Sequence, residues 1–198
     1  MKTIIIATKN KGKVKEMEAA FDGLPIIVRA LSEFGELPSA VESGQTFAEN
    51  ARIKAAFYAR LTGMACLADD SGLEVDVLDK QPGIYSARFA GTHASDAENN
   101  NKLLNEMKKT GSSSSPARYK CVLAFFDVNG EILQSEGTCE GIIKIQPRGD
   151  NGFGYDPYFY VCGGQKSMAE ISLAEKNVIS HRGKAVKKMK KLLAEYLS

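Results

Sequence analysis

The 198-residue sequence predicts an α/β fold built on a mixed sheet. Through the first half, short apolar runs alternate with stretches of helical periodicity, the pattern of parallel strands joined by crossover helices. In the second half two long strand-like runs meet at Asn129-Gly130, a strong hairpin signal that calls for antiparallel pairing. The length suits one domain spanning residues 1–198, since roughly 100–200 residues per domain is usual.

Residues 3–8 form an apolar first strand, broken by Asn10-Lys11-Gly12, after which Val14, Met17, Phe21 and Leu24 recur at helical spacing. Pro25 to Leu31 predicts a second strand, and the acidic, aperiodic stretch from Ser32 to Gln45 predicts a mobile loop. Thr46-Phe47-Ala48-Glu49 fits a capping box and opens a helix that buries Phe47, Ala51, Ala55 and Tyr58 and stops at Gly63. Ala65 to Ala68 and Leu73 to Leu78 predict two strands flanking an Asp69-Asp70-Ser71-Gly72 turn. A second box, Ser95 to Glu98, starts a helix to about Lys109, and the serine run before Pro116 predicts a surface connection. Arg118 to Val128 and Glu131 to Ile145 are the hairpin strands, and Tyr158 to Val161 is a short strand. A third box, Ser172 to Glu175, opens a short helix, and the last helix runs from Ser180 with Ala185, Met189, Leu192 and Tyr196 inward.

With 26 basic and 24 acidic residues, a net charge of +2 and 43% apolar residues, the chain is neither a disordered polyanion nor a strongly basic nucleic-acid coat. Lys184, Lys187, Lys188, Lys190 and Lys191 lie on the polar side of an amphipathic helix, so no nucleic-acid partner is expected. No apolar run approaches the roughly 20 residues that span a bilayer, so no membrane partner is expected. The amino-terminal run is too short for a signal-peptide core, and the expected location is cytoplasmic. Cys66, Cys121, Cys139 and Cys162 form no C-x-x-C pair and are expected to be buried thiols, while His93 and His181 join no transition-metal motif. A hard cation held by carboxylates stays open.

Five segments carry chemistry-bearing residues. Thr8-Lys9-Asn10-Lys11-Gly12-Lys13 takes a strand into a helix N-terminus, where free N–H groups and the helix dipole attract phosphate. Thr46, Asn50 and Lys54 share one face of a helix, either solvated or reaching a phosphate. Asp69 and Asp70 point to opposite sides of an extended chain, so that one can serve structure while the other holds a cation or accepts a proton from water. In Gly149 to Pro157, glycines frame Phe153 and let its ring approach a flat ligand, or plug a loop. Lys176, with Ser180-His181-Arg182, offers donors near helix starts.

Taken in order, Thr8-Lys9-Asn10 with Lys13, Thr46-Phe47 with Glu49-Asn50-Ala51 and Lys54, Ala68 to Leu73, Pro82 to Arg88, Gly152 to Pro157 and Ile179 to Gly183 closely resemble the inosine/xanthosine triphosphate pyrophosphatase family over essentially the whole chain. The resemblance implies a long curved mixed sheet with flanking helices, two lobes around a deep central cleft, a homodimer and Mg²⁺ dependence. It implies cleavage of ITP, dITP or XTP, a small-molecule nucleotide substrate, to the monophosphate and pyrophosphate. Asp70, Lys54 and Lys13 are then the catalytic set. Thr8, Lys9, Asn10, Lys11, Gly12, Lys13 and Ser71, with Phe153, Gly154, Tyr155, Asp156, Lys176, His181 and Arg182, contact substrate, and Asp70 and Glu42 hold the metal. Two positions depart from the family pattern: Lys9 stands where glycine is usual, and Val41-Glu42 replaces a common pair of acids.

Overall fold

The computed structural model describes residues 1–8 and 11–198, with Lys11, Gly12 and Cys162 described by their backbone alone. Lys9 and Asn10 lie outside the described residues, as do the side chains of Lys11, Gly12 and Cys162.

Seven strands form one mixed sheet in the order β2-β1-β3-β4-β5-β6-β7: β1 Lys2–Ile6, β2 Ile26–Ala30, β3 Ala65–Val75, β4 Ser114–Phe126, β5 Ile132–Lys144, β6 Phe159–Val161 and β7 Lys166–Ser167. The helices are α1 Lys11–Ala20, α2 Phe47–Thr62, α3 Asp96–Lys109, α4 Leu173–Ile179 and α5 His181–Tyr196. β1 pairs in parallel with β2 and β3, whereas β6 pairs antiparallel with β5 and β7. The expected hairpin joins β4 to β5 through Val128-Asn129-Gly130, closed by Asp127 N–H to Glu131 O at 2.9 Å, with Gly130 at φ +94°.

The chain divides into two compact units. The first comprises Met1–Asp70, Cys121–Glu136 and Ala185–Ser198. Its core sets Ile4, Ile6 and Leu67 of β1 and β3 with Leu123 and Phe125 of β4, Met17 and Phe21 near α1, and Met189 and Leu193 of α5. The second comprises Ser71–Lys120 and Gly137–Lys184, with Leu73, Val75, Leu103, Met107, Ile143 and Phe159 fully buried. Burying each such side chain contributes about 1.5–3 kcal/mol.

Several boundaries differ from the sequence expectation. Asp69 to Gly72 is not a turn: β3 runs unbroken through it beside β4, past the Ala65–Leu67 stretch that pairs with β1, and sheet pairing overrides local turn chemistry. Leu73 to Leu78 is therefore the end of that strand followed by a 3₁₀ turn, Asp76–Leu78. The stretch from Ser32 to Gln45 opens within a 3₁₀ turn, Leu31–Phe34. β4 starts inside the serine run, where Ser115 is buried and its hydroxyl accepts from Val77 N–H at 3.1 Å. In α5 the fully buried residue is Leu193 rather than Leu192, since Ala185, Met189 and Leu193 repeat at i, i+4, i+8 on one stripe.

The three capping sites form at Thr46, Ser95 and Ser172, each accepting the N–H three residues on. Ser95 with Glu98 and Ser172 with Glu175 make reciprocal boxes. At α2, however, Glu49 accepts from Gln45 N–H at 2.6 Å, one residue before the cap. Cys66, Cys121 and Cys139 are buried free thiols, and burial pushes the Cys66 thiol up to about 12. No helix of the described residues is long and apolar enough to cross a membrane.

Candidate active site

In the first unit the strand order 2-1-3 reverses direction at β1, and ligands of open α/β sheets bind beyond the carboxyl ends of the strands at such a point. Ala7 N–H donates to Leu67 O at 2.8 Å, so Thr8 and Asp69 lie just past the stretch where β1 and β3 pair, while β3 itself continues beside β4. Four sequence-selected side chains gather there. Lys13, in the first turn of α1, places its ammonium 2.9 Å from Asp69 Oδ2. Lys54 of α2 donates to the backbone carbonyl of Asp69 at 3.0 Å and pairs with Glu42 Oε1 at 2.6 Å. Asp70 lies beside them, 9% exposed, its Oδ2 buried with no hydrogen-bond partner among the described residues.

Burial raises the Asp70 carboxyl to about 6; the Lys54 charge opposes that rise and the Glu42 charge adds to it. Burial also works against the Lys54 ammonium, but the Glu42 pair outweighs it and raises the Lys54 pKa. Perturbed titratable groups in one cluster mark functional sites more often than structural ones.

Of the polar face of α2, Asn50 and Lys54 are turned into the protein while Thr46 stays exposed. Asn50 is fully buried and its Oδ1 accepts from Gly44 N–H at 2.8 Å, which fastens the loop carrying Glu42 to α2. Gly44 packs so closely that a Cβ there would fall 2.6 Å from Glu49 Cβ. The unpartnered Asp70 oxygen beside Glu42 suits a hard divalent cation, which takes carboxylate oxygens. Among the described residues no cluster of three His, Cys, Asp or Glu side chains forms, so water and phosphate would complete the coordination of any such ion.

In the second unit the glycine-rich loop is locked around Asp156. Asp156 Oδ2 accepts from Phe153 N–H at 3.0 Å and from the Lys176 ammonium at 2.5 Å. That ammonium also stands 5.1 Å from the centre of the Phe153 ring. Phe153 itself is 59% exposed, so one part of its ring is open to a flat ligand. Gly152 adopts φ +83°, and a Cβ there would meet Asp156 Oδ2 at 2.1 Å. Tyr155 is buried and its hydroxyl donates to Ser86 O at 2.8 Å. The Ser71 hydroxyl is buried without a hydrogen-bond partner among the described residues.

His181, the first residue of α5, stacks on Tyr119 with ring centres 4.8 Å apart, and Arg182 follows it, half-buried. Ser180 caps this start by accepting from Gly183 N–H at 3.1 Å. A Cβ on Gly183 would fall 1.8 Å from the carbonyl oxygen of Asn177, so only glycine lets α4 and α5 meet this closely.

A family model described as the Ham1 family matches residues 4–192. The chain belongs to the Ham1 family. It is 45% identical over 190 residues to the dITP/XTP pyrophosphatase of Geobacter sulfurreducens, covering 96% of each chain. It is 48% identical over 193 residues to the Bacillus licheniformis protein of the same name, covering 98% of each. A Coxiella burnetii HAM1 protein structure superposes with a TM-score of 0.92 at 42% identity over 98% of this chain and 100% of that one. A Mycobacterium abscessus structure described as a nucleoside-triphosphatase and dITP/XTP pyrophosphatase gives 0.79 at 36%, over 94% and 98%.

Sequence reasoning singled out neither Asn50 as the tether of the Glu42 loop nor Asp69 as the partner of Lys13. Asn50 has a signal in its place four residues before Lys54 on the same helical face. The bond from Tyr155 to Ser86 joins residues 69 positions apart and has no local signature.

Proposed function

We propose that residues 1–198 act as one nucleoside triphosphate pyrophosphatase that cleaves non-canonical purine nucleotides (ITP, dITP and XTP) to the monophosphate and pyrophosphate. The observation that carries this is the buried Asp70 carboxylate, whose Oδ2 has no hydrogen-bond partner among the described residues, beside Lys54 and Glu42 and just past the stretch where β3 pairs with β1. The dITP/XTP pyrophosphatase names of near full-length relatives support it.

Water attacks the α-phosphorus, a new P–O bond forms, the bond to the bridging oxygen breaks and pyrophosphate leaves. Asp70 orients the water and takes its proton. A carboxyl near 6 is still mostly ionised at neutral pH and is a stronger base than an ordinary aspartate. Lys13 and Lys54 hold the phosphates, together with the strand-to-helix segment Thr8 to Lys13 and the Ser71 hydroxyl. The Asp69 carbonyl keeps the Lys54 ammonium directed along the strand ends. Asp70 and Glu42 would hold Mg²⁺, and the chemistry such an ion supplies when bound is neutralisation of charge on the phosphates. No covalent nucleophile is needed, since pyrophosphate leaves readily once its charge is met.

The base belongs to the second unit. Phe153 stacks on it, with Gly154, Tyr155 and Asp156 shaping the platform, and Lys176, His181 and Arg182 supply donors. A 6-oxopurine brings an acceptor to those donors. Adenine brings a second donor and leaves them unpaired, which costs about 1–3 kcal/mol per contact. The enzyme works in the cytoplasm on the nucleotide pool. The assembly we propose is a homodimer, as the resemblance implies.

The test is a substrate panel scored for pyrophosphate. ITP, dITP and XTP are expected to be cleaved at least tenfold more efficiently than ATP, the weight of one unpaired donor. Equal efficiencies for ITP and ATP would end this assignment.

A further inference from the structure

The Phe153 loop is held from outside by a helix that no part of the proposed chemistry uses. Gly154 N–H donates to Asp96 Oδ2 at 2.7 Å, and Asn100 Nδ2 donates to Gly154 O at 2.9 Å. Asp96 and Asn100 stand at i and i+4 in the first turns of α3 and therefore share one face. Together they grip both polar groups of a single glycine residue, the one directly following the exposed aromatic. Gly154 has φ +60°, and a Cβ there would meet nothing within 4 Å, so side-chain packing does not fix its place. The helix that carries the grip is itself firmly anchored. Ser95 and Glu98 close a reciprocal capping box, Leu103 and Met107 are fully buried, and Asn99 accepts from Ala90 N–H at 2.8 Å. Asn100 Oδ1 is buried without a hydrogen-bond partner among the described residues, so the amide is poorly served except through its bond to Gly154.

We infer that Asp96 and Asn100 are positioning residues, a latch through which α3 fixes the Phe153–Gly154 segment at the angle a purine ring requires. The inference rests on the assignment of Phe153 to the base, but the rigidity of the loop is measurable without any nucleotide. Asp156 holds the Phe153 N–H. The latch holds both groups of Gly154, so consecutive peptides of the loop are fixed by Asp156 and by α3. A mobile exposed ring would lose conformational freedom on binding a base, whereas a latched one has already lost it. The latch acts on the base and not on the phosphates, so its loss should appear in KM and leave kcat nearly unchanged.

The chain contains no tryptophan, so Phe153→Trp introduces a single indole at the platform. Acrylamide quenching of that indole is compared with and without Asp96→Ala, Asn100→Ala or Asp96→Asn. KM and kcat for ITP are measured for the same three substitutions in the otherwise unaltered protein. Asp96→Ala and Asn100→Ala are each expected to increase quenching and raise KM about three- to tenfold, the weight of one such bond, with kcat within about twofold. Asp96→Asn keeps an acceptor oxygen and should restore both. The latch is overturned if quenching and KM stay at the parent values in Asp96→Ala protein that melts normally. It is equally overturned if quenching rises while KM does not, given that Phe153→Ala raises KM. Should Phe153→Ala leave KM unchanged, the base assignment fails instead, and the quenching data alone decide whether Asp96 and Asn100 hold the loop.

Discussion

The acid–lysine cluster of the first unit and the Phe153 loop of the second are built by opposite means. In the cluster, Lys54 of α2 and Asp69 and Asp70 of β3 are largely buried, and ion pairs join Lys54 to Glu42 and Lys13 to Asp69. In the loop the aromatic is exposed, and order comes from carboxylate and amide side chains that hold backbone groups. Rigid elements suit the groups that must meet reacting atoms, since small displacements there cost rate. A loop pinned by side chains suits recognition, because its contacts can change without disturbing the sheet.

The first way to break this division is Asp70→Asn, which should lower turnover about 10²–10⁴-fold for every nucleotide alike. Steady-state pyrophosphate release with ITP and ATP checks it, and near-normal turnover in folded protein would remove Asp70 from the chemistry. Asp69→Asn should cost less, because Asp69 acts through Lys13. Next, Lys13→Ala or Lys54→Ala should each reduce kcat/KM about ten- to a hundredfold, as expected for a charge-assisted contact, with the ITP to ATP ratio unchanged. A changed ratio in either variant would contradict the separation of phosphate and base duties.

Arg182→Ala sharpens the comparison from the other side. It should erode the ITP preference by about one decade, mainly by slowing ITP, while leaving base-independent binding of pyrophosphate intact. Competition assays with inorganic pyrophosphate read that difference directly. The smallest effect is on stability. Asp70 has its carboxyl at about 6 in the folded chain against 3.8 when unperturbed, so the folded state binds that proton more tightly than the unfolded state does. The ionised form therefore destabilises the fold, beginning as pH rises past the unfolded value and fully above about 6. Denaturant melts of chelator-treated protein read this without turnover: Asp70→Asn should be more stable than the parent by up to about 1–3 kcal/mol at about pH 7.5, with the gain gone below about pH 4. A constant difference across that range would show that ionisation of Asp70 is not its cause.

Much of this division was legible in the chain. Apolar periodicity and the caps at Thr46, Ser95 and Ser172 marked α2, α3 and α4, and Asn129-Gly130 marked the hairpin. Lys13, Lys54 and Asp70 were each ambiguous by local pattern alone and stood out only through the ordered run of motifs from Thr8 to Gly183. Asp69 to Gly72 misled, since turn propensity is a local quantity and the pairing of β3 into the sheet beside β4 is not. Leu192 misled by one position, because an i+7 step and an i+8 step both lie near one stripe of a helix. The tie between Asn50 and Gly44 and the grip of α3 on Gly154 were invisible for a different reason: side-chain bonds to backbone carry no residue pattern on the acceptor or donor strand.

Gly183 shows where such invisibility leads. With Asn177 O occupying the place of a Cβ, every other amino acid at this position must push α4 and α5 apart, and His181 and Arg182 move with the start of α5. A mutational scan scored on base discrimination is therefore expected to flag position 183 alongside Phe153 and Arg182, although glycine has nothing to offer a ligand. Tolerance to substitution in this enzyme is set there by the spacing between two helices, and a map of intolerant positions is a map of its joints as well as of its contacts.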